Sequence, residues 1–169
     1  MSGSQPDPRD SAERLIAYLR FLKRGRGAMA DLRCALSPAR LPRAWPLLAR
    51  VGGVGDRATE TVAGLFAYHP DGTDIGNIGT TCRHLAAGNN TFDSRFRRLL
   101  SCGHRDEVCE RLRPVVLAAK AKGVRVNYKE LFVDLCYWGD KVKVRWAREY
   151  WRAPEGEQEE SVAAPEAMA

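Results

Sequence analysis

The sequence predicts an all-α protein of two small helical bundles, with about eight to nine helices. Apolar residues recur at intervals of three and four, which is typical of helices that bury one face. No pair of segments shows the apolar–polar alternation of half-buried strands. The 169 residues suffice for one domain or two small ones. Short loops between the predicted helices favour antiparallel neighbours.

Four helices are predicted in the first half of the chain. They lie at about 11–23, 28–36, 42–50 and 56–68. Asp10 with Glu13 provides a weak capping box for the first helix. Ser37-Pro38 ends the second helix and Gly52-Gly53 ends the third, whereas a turn at 69–73 follows the fourth.

Five helices are predicted in the second half. They lie at 77–86, from about 91 to 101, at 105–122, between 127 and 139, and from 140 to about 152. The helix at 105–122 has acidic residues in its first turn and lysines in its last, and Gly123 can end it in a left-handed conformation. Asn127 with Glu130 is expected to cap the fourth of these helices, and Asp140 the fifth.

The domain organisation follows from these elements. Residues 1–10 lack a periodic apolar pattern, and residues 153–169 form an acidic tail without aromatic side chains, so both ends are expected to be disordered. Residues 11–75 are predicted to form an N-terminal helical unit and residues 76–152 a C-terminal helical bundle.

Positive charge is concentrated in the helical body. The net charge is +6, but residues 11–152 hold 26 basic and 14 acidic residues, a balance of +12. Arginines outnumber lysines 21 to 6. Arginine presents a planar set of donors that matches phosphate oxygens, so a body this basic favours polyanionic partners such as nucleic acid. An arginine-rich composition without a binding role is the alternative.

The sequence favours a reduced, non-membrane environment. No uncharged apolar run is long enough to span a membrane, and the first residues lack the apolar core of a secretory signal. The five cysteines are an odd number and form no tight framework. We therefore expect reduced thiols in a cytoplasmic protein.

Motifs for catalysis or metal binding are weak or absent. The sequence contains no Walker phosphate loop, no GxSxG and no HExxH, so we predict no catalytic residues and no enzyme activity. Cys82-Arg-His84 and Cys102-Gly-His104 supply ligand types that zinc accepts, but their spacing does not match structural zinc sites. We predict no metal and no cofactor; a metal-dependent protein built on these pairs is an alternative.

Three clusters of basic residues are candidate binding sites. Helical spacing places four cations on one stripe of the last helix: Lys141, Arg145, Arg148 and Arg152. Apolar residues on both sides of this stripe predict that the helix packs on two flanks. The helix at 91–101 presents Arg95, Arg97 and Arg98, of which Arg97 can pair with Asp93. The third cluster is Arg24 and Arg26, flanked by glycines, with Arg33 beyond them.

Three segments together resemble the CasB family. They are the segment 30–33 with its downstream helix, the helix at 92–100 and the end of the chain at 138–150. The order, spacing and length of these segments carry the resemblance, which covers about residues 11–152. CasB is the small subunit of Cascade, the type I-E CRISPR surveillance complex of antiviral defence.

The resemblance implies a fold, partners and site residues. CasB proteins are all-helical and non-enzymatic, and two copies lie head to tail beside the backbone subunits that hold the guide RNA. Their basic surface supports the guide–target hybrid and holds the displaced DNA strand of the R-loop. The positions that match basic residues of the family are Arg24, Arg26, Arg33, Arg95, Arg97, Arg98, Lys141, Lys143 and Arg148; the helical stripe alone adds Arg145 and Arg152.

Two departures weaken the match locally. Cys34 follows Arg33 where family members often have a second arginine, and the turn at 69–73 lacks lysines. The expected partners are the backbone and large Cascade subunits, a second copy of this chain, guide RNA and target DNA, with no membrane. The alternative is a helical adaptor for an acidic protein partner, which would have no affinity for single-stranded DNA.

Overall fold

The computed structural model describes residues 4–153 and confirms the all-α fold class. The predicted disorder of residues 1–3 and 154–169 lies outside the described residues. Nine α-helices are present between residues 4 and 153: α1 (Pro8–Leu22), α2 (Arg26–Arg33), α3 (Trp45–Leu48), α4 (Arg57–Tyr68), α5 (Ile78–Ala86), α6 (Phe92–Leu100), α7 (Arg105–Lys122), α8 (Tyr128–Cys136) and α9 (Asp140–Tyr150).

Helix α1 begins earlier than the sequence predicts. It starts at Pro8, so the expectation that residues 8–10 are disordered is wrong. Asp7 is the N-cap, and its side chain accepts a hydrogen bond from the backbone N–H of Arg9 at 2.9 Å. Proline is favoured at the first helical position because it needs no N–H partner there. Asp10 consequently lies inside the first turn and does not cap the helix.

The third predicted helix is broken into short pieces. Residues 41–51 form two 3-10 turns, Leu41–Arg43 and Ala49–Val51, on either side of the four-residue α3. Helix α2 likewise ends at Arg33 and continues as the 3-10 turn Cys34–Leu36. Prolines near the starts of the pieces at 41–48 remove backbone donors, which limits the length of a regular helix here.

The helix caps in the second half agree with the sequence in one case and differ in another. Asn127 caps α8, and its side chain accepts from the backbone N–H of Glu130 at 3.1 Å, as predicted. Asp140 does not cap α9: the N-cap is Gly139, and Asp140 is the first helical residue. A carboxylate in the first turn still interacts favourably with the helix dipole.

Helix α4 lies at the centre of the core. Every residue from Ala58 to Ala67 is buried, because α2, α7 and α8 all pack against this helix. Helix α1 packs mainly on α8, so elements from both halves of the sequence contribute to one continuous apolar cluster. The division of the chain into an N-terminal unit at 11–75 and a C-terminal bundle at 76–152 therefore stays a prediction.

The position of α9 is set by close packing against α5. A Cβ atom added to Gly79 on α5 would collide with the backbone carbonyl of Trp146 on α9. Glycine therefore permits a backbone approach that any other residue would prevent. The Trp146 side chain is fully buried on the same side of α9, and this contact fixes which face of α9 is turned outward.

The segment between α4 and α5 is tied to the chain between α7 and α8. His69 is buried, and its Nε2 lies 2.7 Å from the carbonyl oxygen of Val124. The backbone N–H of Thr73 donates to the carbonyl of Val126 at 3.1 Å. The predicted turn at 69–73 is thus a fixed connection. No helix within residues 4–153 combines the length and hydrophobicity needed to cross a bilayer.

Candidate nucleic-acid interface

Helix α9 presents the predicted basic stripe on its outer face. Val142, Trp146 and Tyr150 are buried. The four cations of the stripe are exposed: Lys141, Arg145, Arg148 and Arg152. The prediction that a second flank also packs is wrong at Val144, which is 46% exposed, whereas the ring of Trp151, equally exposed, still lies edge-on to Phe96. Helix α9 packs mainly on α5.

Carboxylates neutralise two of these four cations. Arg145 donates from Nη2 to Oδ1 of Asp134 at 3.0 Å. Asp134 is buried and also accepts from Nε1 of Trp146 at 2.7 Å. Burial raises the pKa of Asp134 above its usual range, against the lowering effect of these two donors. Arg152 lies 4.0 Å from Glu149.

The three arginines of α6 lie in two different environments. Phe92, Phe96 and Leu99 are buried, so the arginines point outward. Arg97 forms the predicted pair with Asp93, at 2.7 Å, and this hydrogen bond lowers the pKa of Asp93. Arg95 and Arg98 are exposed and have no carboxylate within 4.0 Å among residues 4–153.

Aromatic contacts bring α6 and the end of α9 together. The rings of Phe96 and Tyr150 stack with centroids 3.9 Å apart. The guanidinium of Arg97 lies 5.0 Å from the ring centroid of Trp151. Arg97 is therefore held at this junction by both a carboxylate and an aromatic ring, on a different side of α6 from Arg95 and Arg98.

Lys143 does not belong to the outer stripe of α9. Its Nζ lies 5.7 Å from the ring centroid of Trp138, and the residue is half-buried. Helical spacing places Lys143 on the flank opposite Lys141 and Arg148. The structure thus separates Lys143 from the other cations of the helix.

The third predicted cluster is also divided. Arg24 lies in the turn after α1 and Arg26 begins α2; both are exposed. Arg33 at the end of α2 instead donates from Nε to the carbonyl of Ala67 at 3.2 Å, and its guanidinium lies 5.9 Å from the ring centroid of Tyr68. Arg33 is therefore fixed against the end of α4.

Six of the predicted site residues form what we call the unpaired cations. They are exposed, and within the described part of the chain their side chains have neither a carboxylate within 4.0 Å nor a hydrogen-bond partner: Arg24, Arg26, Arg95, Arg98, Lys141 and Arg148. Their charge is available to an external anion. An unpaired cation gains more from a phosphate than one already bound to a carboxylate, because no internal pair must first be broken.

Sequence reasoning missed two residues, Tyr68 and Arg113, that lie beside the predicted site residue Arg33. Arg113 on α7 donates from Nη2 to the hydroxyl of Tyr68 at 3.2 Å, across 45 positions of sequence. The helical pattern marks Arg113 as outward-facing, but no local motif connects it with Tyr68. Only the packing of α7 on α4 brings them together.

The cysteines and histidines do not assemble a metal site among residues 4–153. No group of three or more metal-ligating side chains occurs there. Cys82 and Cys102 are buried, and burial raises the pKa of both thiols. A buried, protonated thiol is a poor metal ligand and a poor nucleophile.

Comparison with known proteins identifies the family. The model of the CRISPR-associated protein Cse2 family matches residues 28–151. The chain is 32% identical over 162 residues to the CRISPR-associated protein Cse2 of Thermus thermophilus, covering 84% of this chain and 92% of that protein. The crystal structure of CasB from Thermus thermophilus is similar at a TM-score of 0.69 and 28% identity, over 84% of this chain and 98% of the other.

A further comparison concerns an assembled complex. A chain of a structure described as a CRISPR RNA-guided surveillance complex matches at a TM-score of 0.76 and 22% identity, covering 92% of this chain and 99% of that chain. At this level of identity the likeness concerns the fold. The resemblance to CasB is confirmed by the family model and the curated relative. The chain belongs to the CRISPR-associated Cse2 (CasB) family.

Proposed function

We propose that this chain is the non-catalytic small subunit of a type I-E Cascade ribonucleoprotein and that it binds nucleic-acid backbone. In this role its basic surface stabilises the guide RNA–target DNA hybrid and the displaced strand of the R-loop. The partners are the backbone and large subunits, a second copy of this chain, guide RNA and target DNA. Membership of the Cse2 family and the fold shared with a chain of a surveillance complex support the assembly.

The unpaired cations are the observation that carries the binding role. Each would neutralise a phosphate and release condensed counterions, which is the main source of sequence-independent affinity. Contacts of this kind position a strand without reading its bases. Base recognition would remain with pairing between guide and target. We therefore expect weak, salt-sensitive binding by the isolated chain, with no sequence preference.

The association is tested by purifying the tagged chain from its native cell. Mass spectrometry of the co-purified proteins and sequencing of the co-purified RNA measure the partners. Recovery of Cascade backbone subunits with a repeat-derived guide RNA supports the proposal. Recovery of a single unrelated protein without RNA contradicts it.

The backbone-binding role is tested by changing two unpaired cations on α6. The double substitution Arg95→Ala and Arg98→Ala should weaken binding of single-stranded DNA about 30-fold at low salt, at roughly 1 kcal/mol per lost phosphate contact. Both side chains are exposed, so the circular dichroism spectrum should not change. Fluorescence anisotropy with labelled oligo-dT measures the affinity.

Arg97→Ala is the matched control on the same helix. The charge of Arg97 is already balanced by Asp93 at 2.7 Å, so its removal should cost less than about threefold in affinity. Equal losses for the control and the double variant would contradict a specific role for the unpaired cations. Loss of helical signal in the double variant would show that Arg95 and Arg98 are structural.

The second candidate is a helical adaptor that binds an acidic protein through α9. The exposure of Val144 and Trp151 beside the basic stripe favours it, because protein interfaces often combine apolar contacts with arginines. An adaptor would have no affinity for single-stranded DNA, so the anisotropy measurement with the wild-type chain separates the two candidates.

A further inference from the structure

Two arginines from different helices converge on one tyrosine. Tyr68 is the last residue of α4 and is half-buried. The guanidinium of Arg33, at the end of α2, lies 5.9 Å from its ring centroid, and that of Arg113, on α7, lies 5.0 Å from it. We call these three residues the Arg33–Tyr68–Arg113 cluster.

Neutral oxygens hold both arginines in place. Arg33 donates from Nε to the carbonyl of Ala67 at 3.2 Å. Arg113 donates from Nη2 to the hydroxyl of Tyr68 at 3.2 Å. Within residues 4–153 neither guanidinium has a carboxylate within 4.0 Å. Each guanidinium is thus oriented without being neutralised.

Both charges of the cluster are left without an internal anion. The attraction of each guanidinium to the ring does not neutralise its charge. The two hydrogen bonds to neutral oxygens leave most of the N–H donors of the guanidiniums unused, since each guanidinium carries five. Fixed, planar and unneutralised donors match the geometry of phosphate oxygens.

We propose that the Arg33–Tyr68–Arg113 cluster is a phosphate clamp for a polynucleotide backbone, with Arg113 as a binding residue and Tyr68 as a positioning residue. This inference rests on the proposed function and adds a subsite to it. The clamp joins α2 to α7, so it lies where helices from both halves of the sequence meet. Tyr68 sets the direction of both guanidiniums and makes no contact with a base.

The test compares two substitutions on α7 in the full chain. Arg113→Gln removes a clamp cation, whereas Arg111→Gln makes the same charge change on an exposed residue almost half a turn away. Binding of labelled oligo-dT and oligo-rU is measured by anisotropy across a range of salt concentrations. We expect Arg113→Gln to weaken binding of both strands about tenfold and to reduce the salt slope by about 0.7. Arg111→Gln should change affinity less than about twofold.

The outcomes separate the clamp from the proposed function. If the wild-type chain does not bind either strand, the proposed function and the clamp both fail. If the wild-type chain binds and the two variants lose affinity equally, the effect is one of net charge and the clamp alone fails. Loss of affinity for only one of the two strands would also contradict a contact made to phosphate alone.

A second measurement uses the unaltered protein. Phenylglyoxal modifies accessible arginines, and mass spectrometry locates each modified residue. Bound oligo-dT should protect Arg33 and Arg113 but leave Arg111 reactive. Modification of Arg113 at the same rate with and without the strand would overturn the clamp. Tyr68→Leu and Tyr68→Phe provide the readout for positioning: Tyr68→Phe, which removes only the hydroxyl acceptor of Arg113, should weaken binding less than Tyr68→Leu, which also removes the ring. Equal affinity of Tyr68→Leu and the wild type would contradict a positioning role for Tyr68.

Discussion

Arg145 on α9 and Arg113 on α7 show how differently two exposed arginines can be bound. Both donate from Nη2 to an oxygen at a similar distance, 3.0 Å for Arg145 and 3.2 Å for Arg113. The acceptor of Arg145 is the buried carboxylate of Asp134, whereas the acceptor of Arg113 is the neutral hydroxyl of Tyr68. Arg145 therefore lies beside a buried carboxylate, whereas no carboxylate among residues 4–153 balances the charge of Arg113.

Exposure alone therefore does not define a binding arginine. An arginine on the outer face of a helix is available to phosphate only if it is not already paired with a carboxylate of the protein. By this criterion we assign Arg145 mainly to folding and propose that Arg113 and the unpaired cations bind the nucleic-acid backbone. Substitutions that change one of these two environments at a time test the assignment.

The largest expected effect follows from removing the carboxylate beneath Arg145. Asp134→Ala leaves Nε1 of the fully buried Trp146 without its acceptor and Arg145 without its counterion. The free energy of unfolding should fall by about 3 kcal/mol, as measured by urea denaturation. Asp31→Ala is the control, because Asp31 pairs with Arg43 at 3.5 Å on the surface. A loss equal to that of the control would show that Arg145 is not a folding residue.

A smaller change in the free energy of unfolding is expected for Asp134→Asn, which separates the charge of Asp134 from its hydrogen bonds. The asparagine keeps an acceptor oxygen for Trp146 but does not titrate. Burial raises the pKa of Asp134 in the folded protein, outweighing Arg145 and Trp146, and Glu130 adds to the increase. The folded state therefore holds this proton more tightly than the unfolded chain does. That stabilisation is complete below the ordinary carboxyl pKa of about 4 and is lost as pH rises through the raised value.

The advantage of the wild type over Asp134→Asn should accordingly be greatest near pH 4 and decrease toward neutral pH. Denaturation of both proteins at a series of pH values measures it. An advantage that increases with pH would show that the ion pair with Arg145 dominates over burial.

The smallest effect concerns the exposed pair on α6. Asp93→Asn should release Arg97 and raise the affinity for oligo-dT about twofold at low salt, since exposed pairs are weak. Hydrogen bonding from Arg97 lowers the pKa of Asp93, so the wild-type pair is intact at neutral pH. Asp31→Asn frees Arg43, which lies outside the predicted site, and should leave affinity unchanged. A rise with both variants would reflect net charge alone.

The sequence predicts most helices because their signals are local. The apolar period of α7 and the cap formed by Asn127 depend only on neighbouring residues, and both predictions agree with the structure. The segment around Trp45 is harder to predict, because an apolar period does not distinguish one helix from a short helix between 3-10 turns. The prediction of a packed second flank on α9 is wrong at Val144 for a related reason: Val144 has the spacing of a core residue, but it is exposed.

The candidate site could be predicted only in part. Helical spacing identifies the outward position of Arg95 and Arg148, and the pair of Arg97 with Asp93 lies within one helix. The ion pair of Arg145 with Asp134 and the contact of Arg113 with Tyr68 join different helices, and their geometry depends on tertiary packing. Which cations are free is therefore a property of the fold and has no local sequence signal.

The salt dependence of oligo-dT binding by the wild-type chain shows whether the unpaired cations contact phosphates. If the unpaired cations contact phosphates, the logarithm of the binding constant should fall linearly with the logarithm of salt concentration, with a slope of about −4 for six contacts to a single strand. A slope near zero, or tight binding that persists at about 0.5 M salt, would show that the unpaired cations do not bind phosphates, because such contacts are weakened strongly by salt.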